Sequence, residues 1–334
     1  MLRFVAGRFV WSILAVLAIL LVNFVVIRMV PGNPVDALIG EFPAPPEYRE
    51  LLEKQFGLDQ PLIVQLVKYY EQLFVGNLGY SFANNKAVLP LLLERAGFSL
   101  MLMGPGLILA SVLGVLLAAW GARRPGSSVD TGTAAFSLVG FSMPVFWLGQ
   151  LLILLFAVNL GWLPAQGAGN WNASDPLGSL STRLSHLVLP LTCITLFYVA
   201  VLARVSRSAI GTALSLDYVK SAFSRGLNEN YVLWRHATRS VMGPIVTIIG
   251  YNFGSVLSGA VLTETVFGWP GIGSLFIQSI MRRDYAVVQG VFLFAGVAVV
   301  IANLLVDVVN SVLDPRIRQA TVSRRPRPRK AAIV

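Results

Sequence analysis

The chain has 334 residues, of which 55% are apolar and only 13% are charged, with a mean hydropathy of +0.70. A composition this apolar is typical of a protein with several membrane spans and excludes an ordinary soluble domain. The net charge of +10 would suit a nucleic-acid-binding protein, but the positions of the charges give another explanation.

Few side chains could carry chemistry or hold a metal. The single cysteine, Cys193, excludes an internal disulfide and any multi-cysteine metal site, and we expect it to be a small packing residue. The two histidines, His186 and His236, are too far apart in the chain for zinc-ligand spacing. No HExxH motif, nucleophile motif or pair of acids within the spans points to a membrane enzyme. We therefore expect no metal site and no catalytic residues.

Six segments are each long and apolar enough to cross a bilayer, which takes about 20 residues. They predict an all-α integral membrane protein with spans over residues 9–30, 98–121, 133–160, 187–208, 241–261 and 286–313. We expect the first span to be a retained anchor, because its apolar region is too long for a signal peptide and the sequence after Arg28 offers no small-residue cleavage site.

Lys and Arg residues set the expected orientation of the spans. With the N- and C-termini in the cytoplasm, the inner side holds the pair Arg123 and Arg124, the basic residues of the loop 209–243 and the basic tail 314–334. Most acidic residues then lie outside. The net charge is thus explained by topology and by attraction to anionic lipid, without nucleic acid.

The loops divide the chain into regions around these spans. An N-terminal segment with the first span (1–30) precedes a large outer region (31–97), a five-helix core (98–313) and the tail (314–334). In the outer region, prolines and apolar spacing predict short helices over 47–56 and 62–74. Glycines and Pro270 predict a tight turn over 268–273.

The polar segment 217–244 lies between two long apolar segments, and it is longer than a simple connection needs. Its pattern predicts two short helices: one begins near Asp217 and stops at a left-handed Gly226, and Asn228 caps the second. Exposed Tyr218 and Phe223 would form a knob that a partner's groove could grip. An interfacial amphipathic helix without a partner would fit the same pattern.

Residues along most of the chain resemble the dipeptide/oligopeptide (and nickel) permease branch of ABC importers. The loop core from Lys220 to Gly226 is similar to the family's E-A-A-x-x-x-G motif, although Lys220 and Ser221 replace Glu and Ala. Supporting stretches occur in the family's order and spacing over about residues 1–318, at 28–34, 57–61, 76–81, 264–273, 283–290, 303–307 and 313–316.

The resemblance implies the ABC importer type I permease fold in the bacterial inner membrane and a set of partners. These are a second permease subunit, expected to be a different chain in a heterodimer, two cytoplasmic ATP-binding subunits or domains, and a periplasmic or lipid-anchored substrate-binding protein. ATP and magnesium would be bound by the ATPases, since this chain has no G-x-x-x-x-G-K-[ST] sequence. The ATPase-coupling residues implied are Asp217, Tyr218, Lys220, Ser221, Ala222, Arg225 and Gly226.

Several polar residues in or beside the spans are further candidates. Asn252 and Ser255 are candidates for the translocation path. Asn303, Asp307 and Asn310 share one face of the sixth span and would contact the other permease or a basic loop residue, unless Asp307 is simply hydrated near the inner face. For Glu264 we expect a salt bridge to Arg282 or Arg283, and the alternatives are a cap on the gate or a position facing the binding protein.

Two classes of transporter remain to be compared at this point. The first is an importer permease for di- or oligopeptides or a similar small solute, with nickel chelates and oligosaccharides open. The second is an ion- or proton-coupled secondary transporter, which would need intramembrane carboxylates or histidines. Asp307 is the sole candidate carboxylate, so the sequence favours the first class.

Overall fold

The computed structural model describes residues 2–29, 47, 59–169, 176–257 and 261–313. These residues are almost entirely helical. In chain order the elements are α1 (Leu2–Met29), α2 (Leu62–Phe74), β1 (Tyr80–Ser81), β2 (Lys86–Ala87), α3 (Val88–Ala122), α4 (Ser128–Ser142), α5 (Val145–Leu152, continued by a π-helix over Ile153–Asn159), α6 (Pro176–Leu214), α7 (Asp217–Ser224), α8 (Glu229–Tyr231, continued by a π-helix over Val232–Thr238), α9 (Met242–Leu257), α10 (Val261–Val266), α11 (Ile272–Met281) and α12 (Tyr285–Leu313).

Within the described part of the chain, four helices are long and apolar enough to cross a membrane. They contain the stretches Gly7–Val26, Val88–Ala122, Leu180–Leu214 and Tyr285–Ser311. A fifth span would be formed by α4 and α5 together, which are bent by 99° relative to each other. Several of these helices exceed the expected length: α3, for example, begins at Val88 rather than near residue 98.

The bend corrects the prediction of one continuous third span over 133–160. Met143 has φ −82° and ψ 124°, an extended conformation, and Pro144 then precedes the first turn of α5. Proline has no N–H for the helix ladder and disfavours the helical conformation of the residue before it, so the helix must stop here.

The centre of the fold is the pair α3 and α6, which approach closely along small residues. A Cβ added at Gly114 would lie 2.8 Å from Leu202 Cβ, and one at Gly106 would lie 2.9 Å from Ile194 Cγ2. Apolar clusters fill the contact, with Leu107 and Leu202 nearly inaccessible to solvent. In a bilayer, close packing of this kind replaces the hydrophobic effect as the source of helix association.

α12 packs on both α9 and α1, and α2 lies on α1. Asn23 of α1 is buried and donates from Nδ2 to the Gln289 carbonyl of α12 at 3.0 Å. The predicted helix over 62–74 is confirmed, and it starts after Pro61. Its Tyr70 hydroxyl donates to the Leu17 carbonyl at 3.0 Å. β1 and β2 form a short antiparallel hairpin in which Tyr80 pairs with Ala87.

Some predictions fall on other parts of the chain. The helix expected over 47–56 and the basic tail 314–334 lie outside the described residues, apart from the single helical position 47. The fifth expected span, 241–261, corresponds to α9, and the description is interrupted at residues 258–260.

Candidate functional site

The polar segment between α6 and α9 folds as the sequence predicts, into two short helices. α6 ends at Leu214, and α7 starts at Asp217, whose negative charge in the first turn suits the helix dipole. The helix stops at Gly226, which has φ +77°, the left-handed conformation that glycine adopts without strain. Asn228 then caps α8, because its Oδ1 accepts a hydrogen bond from the Asn230 N–H at 2.9 Å.

α7 is amphipathic, with one narrow buried face. Val219 and Ala222 are buried and pack against Val232 of the following π-helix. The remaining side chains of α7 are exposed, including the aromatic rings of Tyr218 (45% exposed) and Phe223 (43% exposed). Of the seven residues predicted for coupling, Ala222 therefore supports the helix from inside, whereas the other six are exposed.

The exposed face of α7 is ordered by bonds within the segment. The Tyr218 hydroxyl donates to Ser240 Oγ at 2.6 Å, which joins the start of α7 to the residues before α9. Ser221 Oγ donates to the Asp217 carbonyl at 2.8 Å, and Lys220 Nζ lies 3.4 Å from Asp217 Oδ1. These bonds present a fixed surface that includes two aromatic rings and a cation.

The second half of the segment is anchored to the long helices. Leu233 is buried in a cluster with Ala118 and Ala119 of α3 and Ile210 of α6. Arg123, just after α3, donates from Nη2 to Glu229 Oε2 at 3.0 Å. This hydrogen bond holds the pKa of the Glu229 carboxyl below its ordinary value, since it favours the charged form. A displacement of the segment would therefore act on α3 and α6 together.

A second ion pair lies near the same C-terminal ends of α3 and α6. Arg207 of α6 donates from Nε to Asp130 Oδ1 of α4 at 2.6 Å, and Asp130 Oδ2 accepts the Gly126 N–H at 2.9 Å. Sequence reasoning assigned no role to Glu229, Asp130 or Arg207, and it used Arg123 for orientation alone. The available signal was Glu229, an acidic residue at the start of a predicted helix in an otherwise basic segment. Such a signal does not identify the basic residue with which the acid pairs.

The residues proposed for the translocation path and the subunit contact do not form one cluster. Asn252 of α9 is buried within the chain, and the side chain of Ser255 lies outside the described residues. On α12, Asn303 is exposed and Asn310 donates from Nδ2 to Thr247 Oγ1 of α9 at 2.8 Å. Asp307 forms an ion pair with Arg8 of α1 at 2.9 Å.

Glu264 differs from its prediction. We expected a salt bridge to Arg282 or Arg283, and that expectation is wrong. Its carboxyl is fully buried, where it accepts hydrogen bonds from the Ser99 hydroxyl at 2.7 Å and from the Ser274 N–H at 3.0 Å. Ser99 is far from Glu264 in the chain and Ser274 lies 10 residues after it, so neither partner is within reach of a local helix signal.

No group of three or more His, Cys, Asp or Glu side chains that could hold a metal ion occurs among the described residues. What the described geometry offers is a set of apolar, membrane-spanning helices with an exposed, anchored polar helix between two of them. These features define a multi-pass integral membrane protein.

Comparison with known proteins identifies the family. Residues 110–319 match the model of the binding-protein-dependent transport system inner membrane component, and residues 1–103 match the N-terminal model of the same membrane components. The chain belongs to this family of binding-protein-dependent transport system inner membrane components. It is therefore a transmembrane permease subunit of an ATP-driven importer in the bacterial inner membrane.

Three relatives match over nearly their whole length. The di/tripeptide transport system permease of Pseudomonas aeruginosa UCBPP-PA14 is 37% identical over 333 residues, which cover 95% of this chain and 99% of the relative. The oligopeptide transport system permease of Bacillus subtilis 168 is 33% identical and the dipeptide permease of Escherichia coli K12 is 34% identical, with the same coverage.

Proposed function

We propose that this permease imports dipeptides or oligopeptides, or a similar small solute, and that α7 couples it to cytoplasmic ATPases. Support for the solute class comes from the relatives, whose names specify di/tripeptide, oligopeptide and dipeptide transport. They match over almost the whole chain, including the helices that would enclose a path for the solute.

The proposed topology has six spans, with both termini in the cytoplasm. The spans are α1, α3, the bent pair of α4 and α5, α6, α9 and α12. This arrangement puts the Arg123–Glu229 and Asp130–Arg207 pairs, together with α7, on the cytoplasmic side. It also puts α2, the β-hairpin and the residues 261–281 on the outer side, in agreement with the distribution of Lys and Arg.

The observation that carries the coupling role is the combination of exposure and anchoring in α7. An isolated interfacial helix would bury its apolar side chains in lipid, whereas α7 buries Val219 and Ala222 against its own chain and leaves Tyr218 and Phe223 exposed. Exposed aromatic side chains on a rigid element are typical centres of protein interfaces. A groove in an ATPase that closed on α7 would move the segment as a unit.

The proposed complex contains a second permease, which we infer to be a different chain, two ATP-binding subunits and an outer substrate-binding protein. Exposed Asn303 is a candidate for contact with the second permease, and Asp307 and Asn310 would support that face through Arg8 and Thr247. Asn252 and Ser255 remain the proposed polar residues of the path. This chain has no phosphate-binding loop sequence, so ATP and magnesium would be bound by the partners.

Uptake of a radiolabelled dipeptide into right-side-out or reconstituted vesicles, with nucleotide on the cytoplasmic face, tests the proposal. The vesicles contain this chain with the permease, ATPases and binding protein encoded beside it, and they are supplied with ATP, with a non-hydrolysable analogue, or with an ion gradient alone. Of these three conditions, we expect only ATP to support uptake. Uptake driven by the gradient in the absence of ATP would contradict the proposal.

A further inference from the structure

Glu264 stands out because its carboxyl lies in the interior of a membrane protein without a basic residue bonded to it in the structure. The carboxyl accepts hydrogen bonds from Ser99 Oγ, from the Ser274 N–H and from the Gly273 N–H. A buried carboxyl is costly unless its oxygens are hydrogen-bonded, and here both oxygens have donors. These directional bonds attach Glu264 both to the next helix along the chain, at Gly273 and Ser274, and to the distant residue Ser99.

The donors identify what Glu264 holds. Gly273 and Ser274 lie in the first turn of α11, whose N–H groups have no partners within the helix. Ser99 completes the arrangement, because its hydroxyl donates to Glu264 and accepts the Ile272 N–H at 2.9 Å. The start of α11 is thus capped by a carboxyl from α10 and by a hydroxyl from α3. The preceding residue, Gly271, supplies no side chain for this purpose.

Close packing leaves this arrangement no alternative geometry. A Cβ at Gly271 would overlap the Glu264 carboxyl, and a Cβ at Gly273 would lie 2.6 Å from Val261 Cα. Small residues at these two positions let the backbone approach the carboxyl directly. The motif E-T-V-F-G-W-P-G-I-G is thus a single structural unit, in which the carboxyl of its first residue accepts hydrogen bonds from the N–H groups of its last residue and of the residue after it.

Two further bonds join the same unit to α3. Trp269 is 1% exposed and donates from Nε1 to the Phe98 carbonyl at 2.9 Å. Arg95 Nη1 lies 3.3 Å from the Pro270 carbonyl. Three residues of one α3 segment, Arg95, Phe98 and Ser99, therefore hold the residues 261–281, which we call the outer hairpin.

We propose that Glu264 is a positioning residue that, through Ser99, makes the outer hairpin and the outer part of α3 move as one rigid body during transport. The inference rests on the proposed importer function and topology, which put the hairpin at the outer mouth. α3 also carries Arg123 at its other end, beside the segment that contains α7. A movement of α7 would thus reach the outer hairpin through α3, and the conformation of the mouth would follow the ATPase cycle.

Without the Ser99 hydroxyl, the hairpin would be held mainly by apolar packing and by the bonds of Trp269 and Arg95. The mouth would then follow the motion of α3 less closely, and the ATPases would hydrolyse ATP without moving solute. The function of Glu264 is accordingly visible in the ratio of transport to hydrolysis, which a loss of stability alone would leave unchanged for the complexes that assemble.

The test uses the whole complex in lipid vesicles with Ser99→Ala, and with Ser111→Ala as the matched control. Ser111 lies on the same helix, but its hydroxyl bonds the Leu107 carbonyl of its own helix at 2.6 Å. We expect Ser99→Ala to assemble and to lower the peptide transported per ATP hydrolysed by at least about fivefold, the effect of losing one buried hydrogen bond. Ser111→Ala should keep the wild-type ratio.

A distance measurement tests the rigid body separately. Spin labels at Leu100→Cys on α3 and Ile277→Cys on α11, both exposed positions, are used after replacement of Cys193. The distribution of distances between the two labels should be the same with and without ATP in the wild-type background. It should shift or broaden in Ser99→Ala. Glu264→Gln, which leaves one acceptor oxygen and replaces the other with an N–H₂ donor, should reproduce both effects.

Three results would overturn the proposal. One is a wild-type ratio and an unchanged distance in Ser99→Ala. Another is a distance that changes with ATP in the wild-type background. A third is failure of both variants to assemble, which would make the cluster a requirement for folding. Absence of ATP-driven uptake by the wild type would instead refute the importer function itself.

Discussion

Arg123 at the end of α3 bonds Glu229 in the segment after α7, with 3.0 Å between Nη2 and Oε2. This pair joins α3, at the centre of the fold, to the polar segment that contains the exposed helix α7. The two side chains are about one-third exposed, so the pair's contribution to stability is reduced by solvent screening. Its importance lies in which elements it connects.

We predict that Glu229→Gln weakens this connection with little loss of global stability, about 1 kcal/mol or less. The pair also confers a pH dependence. Because the pKa of Glu229 is lowered in the folded state, the pair's stabilisation is complete above the ordinary carboxyl pKa of 4.5 and is lost as the pH falls through the lower folded value. Hydrogen exchange of residues 229–238 as a function of pH measures this effect.

The matched control for that experiment is Lys86→Gln, which removes the exposed pair between Lys86 and Glu94 at a distance from α7. Exchange in the loop should stay at the wild-type rate in this variant. Equal protection of residues 229–238 in wild type and Glu229→Gln at neutral pH would show that the pair does not anchor the segment.

Gly226 offers a test of backbone conformation without a steric complication. A Cβ there would meet no atom within 4 Å, but its φ of +77° is unfavourable for other residues by roughly 1–2 kcal/mol. We predict that Gly226→Val disrupts the end of α7 and lowers both ATPase retention and uptake. Gly226→Asn should keep most of both, because asparagine tolerates the left-handed region. Similar activity in the two variants would be incompatible with this explanation.

Packing of α9 on α12 depends on Gly250. A Cβ at this position would overlap Val306 Cγ2, so Gly250→Ala should destabilise the protein by about 1–3 kcal/mol through overpacking. Val306→Ala in the same chain should recover part of the loss. Gly243→Ala is the control, since a Cβ there meets nothing within 4 Å. Thermal unfolding in detergent compares the wild type, the single variants Gly250→Ala, Val306→Ala and Gly243→Ala, and the double variant. Additive effects of Gly250→Ala and Val306→Ala would argue against direct contact.

The Arg8–Asp307 pair bears on the secondary-transport hypothesis. Asp307 is bonded to α1, and its side chain is 27% exposed. We therefore predict that Asp307→Asn keeps more than about half of the ATP-driven uptake, as expected for loss of one partly exposed pair. A protonophore should not reduce uptake in either protein. Loss of uptake in an assembled Asp307→Asn complex, with protonophore sensitivity of the wild type, would support proton coupling.

The sequence was most informative where structure depends on neighbours along the chain. Asp217, Gly226 and Asn228 are local signals for a helix start, a helix stop and a cap, and each lies where predicted. The apolar segments and the helix after Pro61 were recognisable for the same reason. Residues in these positions act through bonds to the next few residues.

Contacts between distant segments could not be predicted in this way. The bonds of Glu264 to Ser99, Asp130 to Arg207 and Glu229 to Arg123 depend on how helices pack, and one sequence gives no register between them. The break at Pro144 was within reach, because proline interrupts helices, but an uninterrupted apolar run favoured a single span. The pairing of Arg123 with Glu229, which connects the segment of α7 to α3, was missed because one sequence gives no register between distant helices.

Retention of the ATPases by an altered α7 surface tests the central proposal most directly. In the detergent-solubilised complex, Phe223→Ala removes an exposed ring from α7, and Tyr231→Ala removes an exposed ring from α8 as the control. We predict that Phe223→Ala loses most of the copurifying ATPase while membrane expression persists, and that Tyr231→Ala retains it. Full retention of the ATPase and wild-type uptake by Phe223→Ala would contradict docking through α7.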